Sequence, residues 1–353
     1  MSDLDRRRFS PELQPFTHQH PFKEIGRMVA SKVGLNNLTT HETGTFSVDQ
    51  VYHFMDQKVA RSLSGAGEVR AVYAYEDGAL ATFEAAKKRG LKCIYDLPIA
   101  YWETKGRLMQ EEAERYPNWA PTMSGGIGDS PKKLARKTKE LELADVVVGP
   151  GSFVMDSLPE WAAGKHQIVA PFGSPILSSS PPPSPNKSTK RPLRILFVGS
   201  LSQRKGLADL FTAMKLLGKR DVELVVLGSL RMPLAFYRSE FPDFIYEKTR
   251  PHTGVLDLMA SCDIFCLPSI VEGRALVMQE AMSQGLPIII TPNTGGADLV
   301  IPDETGFLVP IRSPEAIAEA ITWFTANREA IPRMGAAARR HSKNYTWDAY
   351  GDA

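Results

Sequence analysis

Cysteine is scarce, and the little there is suits neither a disulfide framework nor a zinc site. Three occur in 353 residues: Cys93, Cys262 and Cys266, each inside an apolar, strand-like run (LKCIY, SCDIFCLP) where a buried free thiol is the plain expectation. An odd count points to a reducing compartment. No second Cys or His pair stands at ligand spacing from Cys262 and Cys266, so no zinc site is expected. Charge of one sign is lacking too. The 42 Lys and Arg against 40 Asp and Glu leave +2, which excludes the strongly basic face of a dedicated nucleic-acid binder. No apolar run approaches the roughly 18 residues of a membrane span. The opening MSDLDRRRFSPELQPF has an arginine run without the apolar stretch of a secretion signal. A cytoplasmic chain is expected, with peripheral contact at the inner membrane surface left open. Also missing is a G-x-G-x-x-G opening a strand–helix unit, which sets aside a dinucleotide-dependent dehydrogenase.

What is present is ordinary globular material, 43% hydrophobic and 23% charged, in a chain longer than the roughly 250 to 300 residues at which single cores stop growing. Two domains follow. Ile176 to Arg191 (ILSSSPPPSPNKSTKR) is Pro- and Ser-biased and too polar to bury itself, so it reads as a linker. The expected division is 1–170, a linker 171–192, and 193–353.

Past the linker, short apolar runs alternate with helical periodicity. RILFVG (194–199), VELVVLG (222–228), FIYEK (244–248), DIFCLP (263–268) and PIIIT (287–291) read as strands. Helices fall at 206–217, 233–239, 254–260 and 275–284, with three more after 314. Such alternation means right-handed crossovers and a buried parallel sheet. The first half repeats the pattern with strands at 71–75, 91–98, 144–149 and 167–171. Two helices, 22–33 and 48–63, precede them, and no strand is visible before Ala71. The fold class is therefore α/β with two Rossmann-like domains, the first without its opening strand.

Parallel α/β sheets bind ligands beyond the carboxyl ends of their strands, so the loops there carry the candidates. After the first strand of the second half comes GSLSQRKG. Gly199 and Ser200 are followed by Arg204 and Lys205 at an expected helix start, two cations that a diphosphate would offset. A solvated turn is an equal alternative. After DIFCLP comes SIVEGRALVMQEAMSQG. Glu272 precedes an expected helix and Glu280 lies within it, about 80° around. Gly273 and the amides near Arg274, Ala275 and Leu276 are open donors. A capped amphipathic helix with one solvated glutamate is the alternative. Asp298, in PNTGGADLV, reads first as a cap.

EGRALVMQEAMSQGLPIIIT resembles the E-x7-E signature of glycosyltransferase family 4, retaining enzymes of GT-B fold. GSLSQRKGLADLFTAM, TGGAD and TGFLVP are similar to that family's other segments in order and spacing. The resemblance covers 169–350 well and 71–157 loosely. It implies that two Rossmann-like domains face each other across a cleft and that a sugar moves from a nucleotide-sugar, with no cofactor and no metal. By it, Lys205 and Arg204 would contact the donor diphosphate and Glu280 the ribose. Glu272 would meet the sugar hydroxyls, the amides from Gly273 to Leu276 the phosphates, and backbone near 249–252 the base. The chain departs from the family at Ser200, where an arginine is usual. A His usual in the first domain has no counterpart near DLPIAYW, where Asp96 is the acceptor-side candidate beside a capping alternative. The acceptor is a glycan, lipid or small molecule.

A second reading is a degenerate homologue that binds nucleotide-sugar or a partner protein without turnover. PKKLARKTKELELAD (131–145) starts as a basic helix. A solvated face is the first reading, and contact with anionic lipid or a charged acceptor the sharper one.

Overall fold

The computed structural model describes residues 10–65, 67–123, 128–174, 191–218 and 221–353. Most of the expected linker (175–190) lies outside the described residues. By compactness the chain divides into 1–96 with 129–147, and 97–128 with 148–353.

The elements of the first half are α1 (Phe22–Lys32), α2 (Val48–Ser62), β1 (Ala71–Tyr75), α3 (Leu80–Lys88), β2 (Lys92–Asp96), α4 (Trp102–Arg115), α5 (Pro131–Leu143), β3 (Val146–Gly149), α6 (Ser152–Asp156) and β4 (His166–Val169). The strands make a sheet in the order β1-β2-β3-β4. Among the described residues no strand precedes Ala71.

Helix starts account for much of the first unit. Ser47 caps α2 and Ser130 caps α5, each accepting a backbone amide, with Pro131 at the first position of α5 where no N–H is needed. The start of α3 has no side-chain cap of its own. Two buried carboxylates from other helices serve instead. Asp56 accepts the amides of Ala81 and Thr82, both at 2.8 Å, and Glu140 accepts those of Asp77, Ala79 and Leu80 at 2.8 to 3.1 Å. Arg136 joins the two acids at 2.6 and 3.1 Å. Burial pushes the Glu140 carboxyl up to about 7, against the pull of Arg136 and the amides.

This corrects the reading of α5 as a solvated basic face. Lys133 sits 2.8 Å from Asp49 and 3.1 Å from Asp129, while buried Lys137 stands 3.4 to 3.5 Å from Glu76, Asp77 and Asp129. Only Lys132 and Lys139 of the five cations are exposed. Asp129 and Glu140 lie four residues from Lys133 and Arg136, but Asp49, Asp56, Glu76 and Asp77 come from α2 and the loop after β1, too far along the chain for helical periodicity to reveal them.

The second unit is built on β5 (Leu193–Val198), α7 (Leu207–Leu217), β6 (Val222–Leu227), α8 (Leu234–Glu240), β7 (Phe244–Glu247), α9 (His252–Ala260), β8 (Ile264–Leu267), α10 (Leu276–Ser283), β9 (Ile288–Ile290), β10 (Gly306–Leu308), α11 (Pro314–Ala326), α12 (Ala330–Ser342) and α13 (Trp347–Asp352). All strand pairs are parallel, in the order β10-β9-β8-β5-β6-β7. β8 and β9 are buried throughout, as strands covered on both faces must be. Trp119 enters this core with its ring 5.1 to 5.8 Å from Phe211, Phe236 and Tyr237. All three cysteines are free and buried. Residues 172–174, at the start of the expected linker, are packed: Phe172 stacks on Trp347 at 6.1 Å and the Ser174 amide donates to the Tyr345 carbonyl.

Candidate active site

In the second sheet the chain runs outward from β5 through β6 to β7, then returns to β8 on the other side of β5. The switch therefore lies between β5 and β8, and the crevice beyond their carboxyl ends is where such a sheet takes its ligand. The two loops that leave there are the two that carry the candidate cations and the first glutamate.

Residues Gln203–Lys205 form one 3-10 turn, and Gly206 follows at φ +72 before α7 begins at Leu207. Arg204 and Lys205 thus stand in the turn just ahead of α7, whose start is within one residue of the expected one. A Cβ on Gly206 would stand 1.9 Å from the Pro268 carbonyl oxygen, so only glycine lets this loop reach the end of β8. The Ile270 amide then donates to the Arg204 carbonyl at 2.9 Å. The result is an ion cluster. Lys205 Nζ lies 2.7 Å, and Arg204 Nη1 2.5 Å, from the same Glu272 Oε1. Burial holds the Lys205 ammonium below its ordinary pKa, helped by the Arg204 charge and opposed by Glu272. Gly199 leaves ordinary van der Waals space beside the Lys205 stem, and Ser200 is half-buried, 3.5 Å from the Ser202 hydroxyl.

The segment 272–275 is not helical, because α10 starts only at Leu276. The expected helical phase between Glu272 and Glu280 does not exist. Gly273 is instead wedged between the Pro98 carbonyl and Gly295. Among the described residues Glu280 pairs with His252, at 3.1 Å, and not with the Lys205 cluster. Of the expected donors, the Ala275 amide is already bonded to the Thr294 carbonyl at 3.2 Å, while those of Gly273, Arg274 and Leu276 have no backbone acceptor among the described residues. The Arg274 side chain is turned away. It is fully buried, bidentate to Asp298 at 2.8 and 3.0 Å, bonded to Gln279 at 2.7 Å, and lies 4.7 Å over the Tyr345 ring. Asp298 pairs with Arg274 from a single turn, 297–299, rather than capping a long helix. Asp96, at the end of β2, is 4% exposed and accepts from the Tyr73 hydroxyl at 2.5 Å. Burial raises its pKa, with Tyr73 and Tyr75 opposing.

Two features escaped the sequence. Gln203, fully buried, donates to Glu112 at 2.6 Å and to Asp209 at 2.7 Å, and its side-chain oxygen accepts the Ala208 amide. It ties the Arg204–Lys205 turn to α4 and α7. His252 beside Glu280 is the other. The only sequence signal for Gln203 was its place beside Arg204, and for His252 its place in the 249–252 stretch expected near the base. Among the described residues, the one group of side chains able to hold a metal ion is His41, Glu42 and Asp129 in the first unit, where the Lys133 ammonium already supplies a cation.

Residues 183–341 match the family of glycosyl transferases group 1. The chain is 28% identical over 251 residues to D-inositol 3-phosphate glycosyltransferase of Corynebacterium glutamicum, covering 63% of this chain and 59% of that one. It thus spans about three-fifths of that relative's length. Sucrose-phosphate synthase from Thermosynechococcus elongatus superposes with a TM-score of 0.64 at 17% identity, over 88% of this chain and 78% of that chain. HepE of Anabaena, solved in complex with UDP, gives 0.62 at 16%, over 83% and 80%. Such distant likenesses establish the fold, which is GT-B. The likeness to the glycosyl transferases group 1 family thus lies in the second half of the chain, on a fold that these solved structures share.

Proposed function

We propose that this chain is a glycosyltransferase that moves a sugar from a nucleoside diphosphate donor to an acceptor, with retention at the anomeric carbon and without a metal ion. The observation that carries the reading is the convergence of Lys205 and Arg204 on Glu272 at the β5/β8 switch point. When the bond from the anomeric carbon to the diphosphate oxygen breaks, negative charge grows on the departing diphosphate. Two fixed cations and the open amides of Gly273, Arg274 and Leu276 would stabilise that charge, the work a divalent ion does elsewhere. The diphosphate would draw both cations off Glu272 and free its carboxylate for sugar hydroxyls. Glu280, steadied by His252, would take the ribose.

The experiment is release of nucleoside diphosphate from a panel of UDP- and GDP-sugars with candidate glycan, lipid and small-molecule acceptors, with and without EDTA. One donor should turn over at an EDTA-independent rate, with the product anomeric coupling matching the donor's. Lys205→Ala should lower the rate by on the order of 100-fold with the melting transition kept. Ser200, in place of the family's arginine, favours the second reading, binding without turnover. Calorimetric affinity with no product for any donor would select it.

A further inference from the structure

α1 is an amphipathic helix with its apolar side outward. Phe22, Ile25 and Val29 are 70%, 51% and 53% exposed, and Val33, just beyond the helix, is 62% exposed. At helical spacing these four fall within about 80° of arc. The single buried residue of α1 is Ala30. The inward side is held by small and polar groups. A Cβ on Gly26 would lie 2.4 Å from the Phe46 ring, and Lys23 Nζ donates to the Thr45 carbonyl at 2.9 Å while standing 5.6 Å over that same ring. Turning the stripe inward would push Ile25 or Val29 into the place only glycine fits. The orientation is therefore built in, and Leu13, Phe16 and Leu35, which flank α1 in the sequence, are exposed as well.

Charge identifies what covers it. Of the chain's 42 Lys and Arg and 40 Asp and Glu, six and four lie in the first 35 residues, so the remainder balances at 36 of each sign. In the sequence, the whole of the net positive charge therefore falls within the first 35 residues. On α1 itself Lys23, Arg27 and Lys32 face one acid, Glu24, which Arg27 neutralises through two bonds of 2.7 Å. The basic start of α5, the other candidate for such contact, is mostly used internally. At 11 residues α1 is about 16 Å long, too short to span a bilayer. An exposed apolar stripe, a cationic flank and low overall hydrophobicity are the features of a helix that lies in a membrane interface. A second copy would bring like charge against like charge.

We propose that α1, with the turn Pro11–Phe16 before it, seats this chain on an anionic lipid surface. The proposal holds whether or not the chain transfers sugar. The test is flotation of the full chain with phosphatidylcholine vesicles, with and without phosphatidylglycerol. Wild type should float with the phosphatidylglycerol vesicles and release at high salt. The double variant Ile25→Glu, Val29→Glu should bind about tenfold or more weakly with an unchanged melting transition, since both positions are more than half exposed. If that transition is lost, serine at both positions replaces glutamate with the same readout. Equal flotation by wild type and variant, or no flotation with either vesicle, would overturn the proposal. So would a wild-type dimer in sedimentation that the double variant dissolves, which would assign the face to a second copy.

Discussion

Lys205 and Glu272 form a buried ion pair at 2.7 Å between the loop after β5 and the loop after β8, and Arg204 shares the same carboxylate oxygen. A buried pair is poor evidence of stability, because desolvating both ions offsets much of their attraction. On the proposed function, its value is a carboxylate that the donor diphosphate would displace. Glu272→Gln removes that competitor. The variant is expected to bind free nucleoside diphosphate at least as tightly as wild type by calorimetry, yet transfer sugar on the order of 100-fold more slowly. A parallel loss of both would mean that Glu272 only holds the loop.

Lysine at position 205 also predicts a pH dependence. Burial lowers its pKa below the ordinary 10.5. The unfolded chain therefore keeps this proton at a pH where the folded chain gives it up. The charged form costs stability below the lowered value, and that cost is relieved as pH rises toward 10.5. A bound diphosphate reverses the sign by favouring the ammonium. Nucleotide affinity should then fall as pH rises through the lowered value, by up to about tenfold per pH unit, with proton uptake measurable by calorimetry in two buffers. Lys205→Arg should flatten the profile, since guanidinium stays charged.

The strands were legible because parallel strands covered on both faces leave unbroken apolar runs. β1 and β6 begin where the sequence places them, and β5, β8 and β9 differ by one residue at each end. The convergence of Lys205 with Glu272 also followed from the rule that ligand loops leave the carboxyl ends of strands. The orientations did not. Arg274 reads as a donor-side residue from its neighbours, but its guanidinium is committed to Asp298, 24 residues on. The sequence holds no signal for a partner that only the β9 loop supplies. Gln203 is the extreme case, for Glu112 lies 91 residues earlier.

That buried amide makes a separable prediction. Gln203→Leu keeps the size but leaves Glu112 and Asp209, both fully buried, without their shared donor. Hydrogen bonds to charged groups contribute about 1.5 to 3 kcal/mol each, so a loss of about 3 kcal/mol in denaturant unfolding is expected. Arg312 and Arg115 remain on the two acids at 2.5 and 2.7 Å and keep the fold. Because Gln203 touches no ligand position, the catalytic signature should be a raised donor KM from a displaced Arg204–Lys205 turn. A fall in stability with KM unchanged would make Gln203 purely structural.

The loop that presents Glu272 depends on backbone approaching backbone. Gly295 has φ +71, and a Cβ there would lie 1.6 Å from the Gly273 carbonyl oxygen. Gly273 in turn has the Pro98 carbonyl 1.8 Å from where its own Cβ would be. Gly295→Ala therefore combines a left-handed conformation with a clash that no flexible side chain can absorb. Gly90, at φ +70 after α3 with nothing within 4 Å of a Cβ there, isolates the first effect. Gly90→Ala should cost about 1 kcal/mol, the price of the conformation alone. Gly295→Ala should cost about 3 kcal/mol or more, a melting temperature roughly 6 to 12 °C lower. Because the clash pushes on the residue next to Glu272, donor KM should rise in Gly295→Ala and stay unchanged in Gly90→Ala. Equal costs for the two variants would show that the loop relaxes freely, and that the position of Glu272 is not set by this stacking of glycines.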